Sequence, residues 1–539
     1  MDDPLSSRNL VSLCEVRAQL HFDEKLFSFL DRDGNVYDSI TYGQLYTRAC
    51  AIGAMLQSMG QQGRPLVLWY SHDRHFVEAF YGAILGSAIP MPMTKPRGGS
   101  WIQLESAIVA SGARVVLTVS SMAAHFPAKL RVQHNLRIEC TDVVGLAHAS
   151  EWVRPDIYPE DTAFIQYTSG STSKPKGVTI THANIMHNVA LVRRCLALTS
   201  RDVGVSWLPF FHDMGLINHV IQPLYSKIHN YHMAPLHFAA KPSRWLDAIM
   251  RYRGTISGGP NFAYELCLTK IPDAARFNLS SWRIAYCGSE RVSGDTMTAF
   301  QESFSCAGFS SRAFFPCYGL AEATLFVCGT HCCRSISLPS GTESYVRVGE
   351  LQKDSSIVVV EPISEHRIQA DRVVGEIWMK SPSVAPGYYQ DEDQTGSTFE
   401  RTCAAGNGYL RTGDLGFTHD GGLYFVSRLK NLMKVRGRSF FAEDIETHVA
   451  RVGAPIGIKR CVAFSIERNS GEAMIILMEG DENINSNAAI ATVRSSMCDT
   501  FDLDPYAIKI APKNSLPLTT SGKLQRSICR NQFIEGLYD

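Results

Sequence analysis

The chain has no surplus charge of either sign: its 539 residues contain 52 Lys plus Arg and 52 Asp plus Glu. No whole-protein field steers it onto a polyanion, so nucleic acid is not an expected partner. It also lacks a long apolar run. The longest stretches free of Asp, Glu, Lys and Arg reach about 16 residues, as in 79–94, which holds Pro90 and Pro92; a bilayer span needs roughly 20 apolar residues. The opening Met1-Asp-Asp-Pro-Leu-Ser-Ser-Arg carries acids where a secretory signal carries basic residues and then an apolar core. These features lead us to expect a cytoplasmic protein. Low-complexity tracts and internal repeats are missing as well.

The 15 cysteines are an odd number scattered from Cys14 to Cys529, a pattern of reduced thiols rather than a disulfide framework. The cluster Cys328-Gly-Thr-His-Cys-Cys333 lacks the second ligand pair of a closed zinc site, so loop or core thiols are the expectation there. With 45% apolar and 19% charged residues the composition is that of a globular protein, and the length allows about three to four folding units.

What the chain does have is alternation. Pro65 to Ser71 and Ala113 to Val119 read as β-rich runs with a helix between them from about His75 to Leu85, the signature of βαβ units around a parallel sheet. Thr162 to Tyr167 reads as a further strand. From about Ser356 to Ser381 the pattern turns strand-like, and Asp414 to Val426 predicts a hairpin turning at Asp420-Gly-Gly. A last piece of about 110 residues follows Arg428 with its own strand and helix signals, small enough to be a separate lid.

The richest stretch is Gln166-Tyr-Thr-Ser-Gly-Ser-Thr-Ser-Lys-Pro-Lys-Gly-Val178. Its hydroxyls, glycines and two lysines can wrap a polyphosphate through hydroxyl and backbone N–H donors. It lacks the Gly-x₄-Gly-Lys-Ser/Thr spacing of a Walker A loop, and by composition alone a solvent-facing polar loop stays open.

The stretch resembles the signature loop of the adenylate-forming superfamily of acyl-CoA synthetases, peptide-synthetase adenylation domains and luciferases. Further motifs follow in the family's order: Phe315-Pro-Cys-Tyr-Gly-Leu-Ala-Glu322, Tyr409-Leu-Arg-Thr-Gly-Asp-Leu-Gly416, Arg428-Leu-Lys-Asn-Leu-Met-Lys-Val-Arg-Gly437 and Pro517-Leu-Thr-Thr-Ser-Gly-Lys523. Trp207-Leu-Pro-Phe-Phe-His-Asp-Met-Gly-Leu216 and Ser257-Gly-Gly-Pro-Asn-Phe-Ala-Tyr-Glu265 resemble the fatty acyl-AMP ligase branch.

That resemblance implies an α/β adenylate-forming fold. A large N-terminal domain, 1–429, would hold two α/β subdomains and a β-rich one; a mobile α+β lid, 430–539, would complete it. It implies ATP and Mg²⁺ as cofactors, a fatty or related carboxylic acid as substrate, and the phosphopantetheine thiol of an acyl carrier protein as acceptor. Thr168, Ser169, Gly170, Ser171, Thr172 and Lys176 would meet the phosphates, and Tyr318 and Gly319 the adenine. Asp414 would accept both ribose hydroxyls, Arg428 would contact ribose or phosphate, and Ser289 with Glu290 would lie near the nucleotide or carboxylate.

Glu322 would hold Mg²⁺. Lys523 would bridge the reacting carboxylate and α-phosphate, His212 would face the carboxylate, and Lys430 would be the hinge. Met214, Gly259, Phe262 and Cys287 would line the acyl pocket with His212. Between Glu322 and Val348 only Ala323 to Arg347 intervene, so the extra segment that the branch carries here is shortened or missing. An acyl-CoA synthetase is therefore the nearest alternative, followed by adenylation of a small amino or aryl acid and by a non-catalytic acyl-nucleotide-binding module.

Overall fold

A computed structural model describes residues 6–94, 101–168, 175–331, 333–338, 343–350, 356–403, 406–436, 438–468, 471–480, 484–518 and 524–538. The alternating runs near the start form a four-stranded parallel sheet in the order Ile89–Met93, Pro65–Trp69, Val115–Thr118, Arg137–Cys140. The connecting helix, Arg74–Leu85, begins one residue before its expected start. Asp73 caps it there, its carboxylate accepting the His75 N–H at 3.0 Å.

The second sheet has eight strands, in the order Phe326–Gly329, Phe314–Gly319, Ile284–Cys287, Ile256–Gly259, Val203–Ser206, His229–Met233, Lys25–Leu30, Val36–Thr41. The six inner strands are parallel and both edges antiparallel. The central strands Ile256–Gly259 and Ile284–Cys287 are buried throughout, as expected where both faces of a parallel sheet are covered. One apolar cluster unites the two sheets and includes Trp245, Trp282 and Tyr264, each almost wholly buried. Burying a large apolar side chain contributes about 1.5–3 kcal/mol, so this shared core fixes the two sheets against each other. The carboxyl ends of parallel strands, here Gly259, Cys287 and Gly319, are where open α/β sheets take ligands.

The β-rich portion is a third sheet, wider than the sequence signals: Ser335–Ser337, Ser344–Glu350, Gly422–Arg428, Gly406–His419, Gly375–Lys380, Ser356–Val360, Arg367–Ile368. Asp420 (φ 47°) and Gly421 (φ 69°) form the predicted turn, with His419 paired to Gly422; positive φ at both central residues is what a twisted two-residue hairpin requires. The strand before it starts at Gly406, earlier than the alternation suggested.

Beyond Arg428 lie a hairpin, Leu432–Val435 with Arg438–Phe441, a three-stranded sheet, Ile458–Arg468, Gly471–Gly480, Ala507–Ala511, and the helices Ala442–Gly453, Ser486–Phe501 and Arg526–Ile534. Two apolar clusters are built wholly from residues 433 onward. Among the described residues, 14 cysteines are free, and no helix is long and apolar enough to cross a membrane.

Candidate active site

Tyr318 and Gly319 end the strand Phe314–Gly319. Asp414 and Arg428 face each other across the antiparallel strands Gly406–His419 and Gly422–Arg428. The Tyr318 hydroxyl donates to Asp414 Oδ2 at 2.8 Å, and Arg428 Nε lies 3.4 Å from Asp414 Oδ1. Three residues expected around adenine and ribose, from two different sheets, are thus in direct contact. Burial pushes the Asp414 carboxyl up, while the Arg428 guanidinium and the Tyr318 hydroxyl oppose that rise. A partly desolvated acceptor held by two donors is pre-oriented for a hydroxyl-bearing ligand.

Glu322 sits in the short turn Ala321–Ala323 that follows. Its Oε1 accepts the Tyr388 hydroxyl at 2.9 Å, and its backbone carbonyl accepts the Ala385 N–H at 2.9 Å. The Lys176 ammonium lies 4.8 Å from the centre of the Tyr388 ring and donates to Gln394 Oε1 at 2.7 Å. Residues 387–389 pair with the strand Lys176–Thr181: Thr179 N–H reaches Gly387 O at 3.0 Å and Tyr389 N–H reaches Gly177 O at 2.8 Å. Tyr388 therefore contacts both Lys176 and Glu322, linking the strand that follows the loop to the acidic turn. Tyr388 was not singled out in the sequence; its only signal was the aromatic pair after Pro386-Gly387.

Ser169, Gly170, Ser171 and Thr172 lie outside the described residues, as does the side chain of Thr168, whose backbone pairs with Lys176. Lys523 is also outside them. The described residues on either side of it are bridged, Leu518 to Leu524, with Gln525 N–H donating to Pro517 O at 2.9 Å.

Among the residues expected to line an acyl pocket, His212 precedes the helical turn Asp213–Leu216, and its Nδ1 lies 2.5 Å from Asp213 Oδ1. Met214 is buried within that turn. A Cβ at Gly259 would lie 2.7 Å from Trp207 Cζ2, so only glycine admits the Trp207 ring there. Phe262 meets the same indole edge-on at 6.0 Å. Cys287 is fully buried. Ser289 adopts φ 70°, and Glu290 Oε1 accepts the Phe262 N–H at 2.9 Å in the first turn of the helix Asn261–Lys270.

Lys430 occupies the turn Leu429–Asn431. Burial first, and Arg428 next, hold its ammonium down at about 8, against the pull of Asp414 and Glu322. Glu443 pins the flanks of the turn, accepting from Ser427 Oγ at 2.5 Å and Asn431 Nδ2 at 2.6 Å.

The sequence model of the AMP-binding enzyme family matches residues 15–389. A medium-chain-fatty-acid–[acyl-carrier-protein] ligase, JamA of Moorena producens, is 34% identical over 98% of this chain and 96% of its own length. A solved structure from studies of the fatty acyl-adenylate ligases of E. coli and L. pneumophila is similar with a TM-score of 0.88 and 26% identity, covering 99% of each chain. The L. pneumophila fatty acyl-adenylate ligase in complex with acyl adenylate and pyrophosphate is similar with a TM-score of 0.77 and 29% identity, over 99% of this chain and 98% of that one.

Proposed function

This chain belongs to the AMP-binding enzyme family, and we propose that it activates a fatty acid with ATP as the acyl-adenylate and passes the acyl group to the phosphopantetheine thiol of an acyl carrier protein. The contact of Tyr318, Asp414 and Arg428 at the carboxyl end of a parallel strand, next to Glu322, carries the reading. End-to-end similarity to JamA supports the choice of acid and acceptor.

In the first step a substrate carboxylate oxygen bonds to the α-phosphorus as the bond to pyrophosphate breaks. Both reactants are anionic, so the site must offset repulsion and hold dispersed negative charge. Asp414 takes the ribose hydroxyls, Tyr318 and Gly319 border the adenine, and Arg428 and Lys176 supply fixed positive charge. Lys523 bridges carboxylate and α-phosphate oxygens, and His212 faces the carboxylate. Glu322 fits Mg²⁺: Oε1 is oriented by Tyr388 while Oε2 accepts no hydrogen bond from a described residue, and magnesium takes one or two carboxylates plus substrate phosphates. When bound, the ion would neutralise charge on the leaving pyrophosphate.

In the second step the carrier thiol attacks the acyl carbon, AMP leaves with the electron pair of the broken anhydride bond, and the thiol proton passes to solvent. The chain divides at 429/430, the C-terminal part turning about Lys430 between the steps; the separate apolar clusters from residue 433 onward support that division. Free cysteines fit a cytoplasmic site of action. The short 323–347 interval keeps coenzyme A as the second acceptor to test.

Exchange of labelled pyrophosphate into ATP, dependent on added fatty acid, with acyl-AMP detected by mass, tests the first step. Exchange with amino or aryl acids alone, or with none, would overturn it.

A further inference from the structure

Between the strands Phe314–Gly319 and Phe326–Gly329 the chain reverses over residues 320–325, and Glu322 lies within that reversal. The strands pair antiparallel, Gly319 with Phe326. Their approach is close: a Cβ at Gly319 would lie 1.9 Å from Leu325 O, so glycine is what lets the two limbs meet. Thr324 makes the last corner. It adopts φ 68° and ψ −63°, and across it the Leu325 N–H donates to Ala323 O at 2.8 Å. That is the rare, strained form of γ-turn, and a positive φ is a marked outlier for a β-branched residue.

Strain of this kind persists only where the surroundings over-determine it. Thr324 is wholly buried, and its Oγ1 donates to Ser383 O at 2.7 Å. Asn188, equally buried on the helix His182–Cys195, brackets the corner. Its Nδ2 donates to Phe326 O at 2.8 Å and to Ser383 Oγ at 3.1 Å, and its Oδ1 accepts the Phe326 N–H at 3.2 Å. One turn earlier on the same helix, Asn184 Nδ2 donates to Pro382 O at 2.8 Å and Val384 O at 2.9 Å.

The segment held in this way returns a bond to the acid, the Ala385 N–H donating to Glu322 O at 2.9 Å. The backbone of Glu322 is thus tied to 385 on one side and to the Thr324 corner on the other, while Tyr388 takes its Oε1. A glycine at 324 would turn the chain without strain. Threonine adds a hydroxyl that ties the corner to Ser383, which reversal of the chain alone does not require.

Resting on the magnesium role proposed for Glu322, we infer that Thr324 is a positioning residue for that acid: the strained corner, tied through its hydroxyl to Ser383 and bracketed by Asn188, sets Glu322 in place before Mg²⁺ and ATP bind. Groups that orient a metal ligand from behind typically carry about 10–100-fold of the metal affinity.

The test titrates Mn²⁺, a paramagnetic stand-in for Mg²⁺, into the protein saturated with α,β-methylene ATP and without fatty acid. Bound ion is read by electron paramagnetic resonance, so no turnover is involved. Thr324→Val keeps the branched shape and loses the hydroxyl; Thr324→Gly frees the corner. Each is expected to weaken Mn²⁺ binding about tenfold or more, with nucleotide affinity in the absence of metal little changed. Thr324→Ser keeps the oxygen and is expected to bind Mn²⁺ near the wild-type level. Wild-type affinity in either folded variant lacking the hydroxyl, or a loss in Thr324→Ser as large as in Thr324→Val, would overturn the inference. If only one of the Val and Gly variants folds, it is read alone; if neither folds, Thr324 serves folding only and the inference fails. Glu322→Gln, measured alongside, separates the two levels. Unchanged Mn²⁺ affinity there would overturn the magnesium role of Glu322 itself, whereas a loss there with none in the Thr324 variants would overturn the positioning role alone.

Discussion

The Tyr345 hydroxyl donates to Asp444 Oδ2 at 2.9 Å, and the other oxygen of that carboxylate takes the Arg291 guanidinium, which also lies 4.6 Å from the centre of the Tyr345 ring. Arg291 and Tyr345 precede the proposed 429/430 division and Asp444, in the first turn of the helix Ala442–Gly453, follows it, so this triad crosses that proposed division. Arg451, 3.5 Å from Glu343, adds a second crossing on the same helix.

Loss of a hydrogen bond to a charged group costs about 1.5–3 kcal/mol, enough to change the closed-to-open ratio tenfold or more. Asp444→Ala is expected to accelerate limited proteolysis between residues 428 and 432 by about that factor. Cleavage at the wild-type rate would mean the triad does not hold the two parts together.

Tyr388 orients the acid proposed to hold Mg²⁺. Tyr388→Phe removes the donor to Glu322 Oε1 and keeps the ring beside Lys176. The half-saturating Mg²⁺ concentration for pyrophosphate exchange is expected to rise several-fold, with the KM for the fatty acid little changed. A change in acid KM with no change in Mg²⁺ dependence would remove Tyr388 from this role.

Lys430 carries its pH dependence in a stated direction. Its folded pKa, about 8, lies below that of an ordinary lysine because burial and Arg428 penalise the ammonium. The unfolded chain then binds more protons between pH 8 and the ordinary lysine value, so this group's contribution to stability rises with pH across that window. Modification by an amine-directed reagent, read by peptide mass spectrometry, is expected to show a midpoint near pH 8 at Lys430. A midpoint near that of a free lysine would contradict the crowding by Arg428.

The two half-reactions are separable by substitution. Lys523→Ala is expected to abolish acyl-AMP formation while ATP still binds. Lys430→Pro is expected to impair transfer more than adenylation, since proline fixes φ at the proposed hinge. Adenylation near the wild-type rate in the first variant, or equal losses in both steps in the second, would contradict these roles.

Local signals were legible in the sequence. The strands Thr162–Thr168 and Gly375–Lys380 and the Asp420-Gly-Gly turn stand within a residue or so of their expected places, because apolar alternation and turn residues act over a few positions. The residues proposed for the site were legible only through motif resemblance: nothing in spacing links Tyr318 to Asp414, 96 positions apart. Tyr388 and the Arg291–Tyr345–Asp444 triad escaped notice because each depends on contacts between distant segments whose residue types are common in any globular chain. The π-turn at Ile217–Ile221 has no sequence pattern of its own.

The most direct measurement of the central claim is intact-mass analysis of a phosphopantetheinylated acyl carrier protein incubated with the enzyme, ATP, Mg²⁺ and a fatty acid, with coenzyme A in the same vessel. The account predicts acyl-AMP and acylated carrier, with no acyl-CoA. Robust acyl-CoA with an unmodified carrier would contradict it and make the chain an acyl-CoA synthetase.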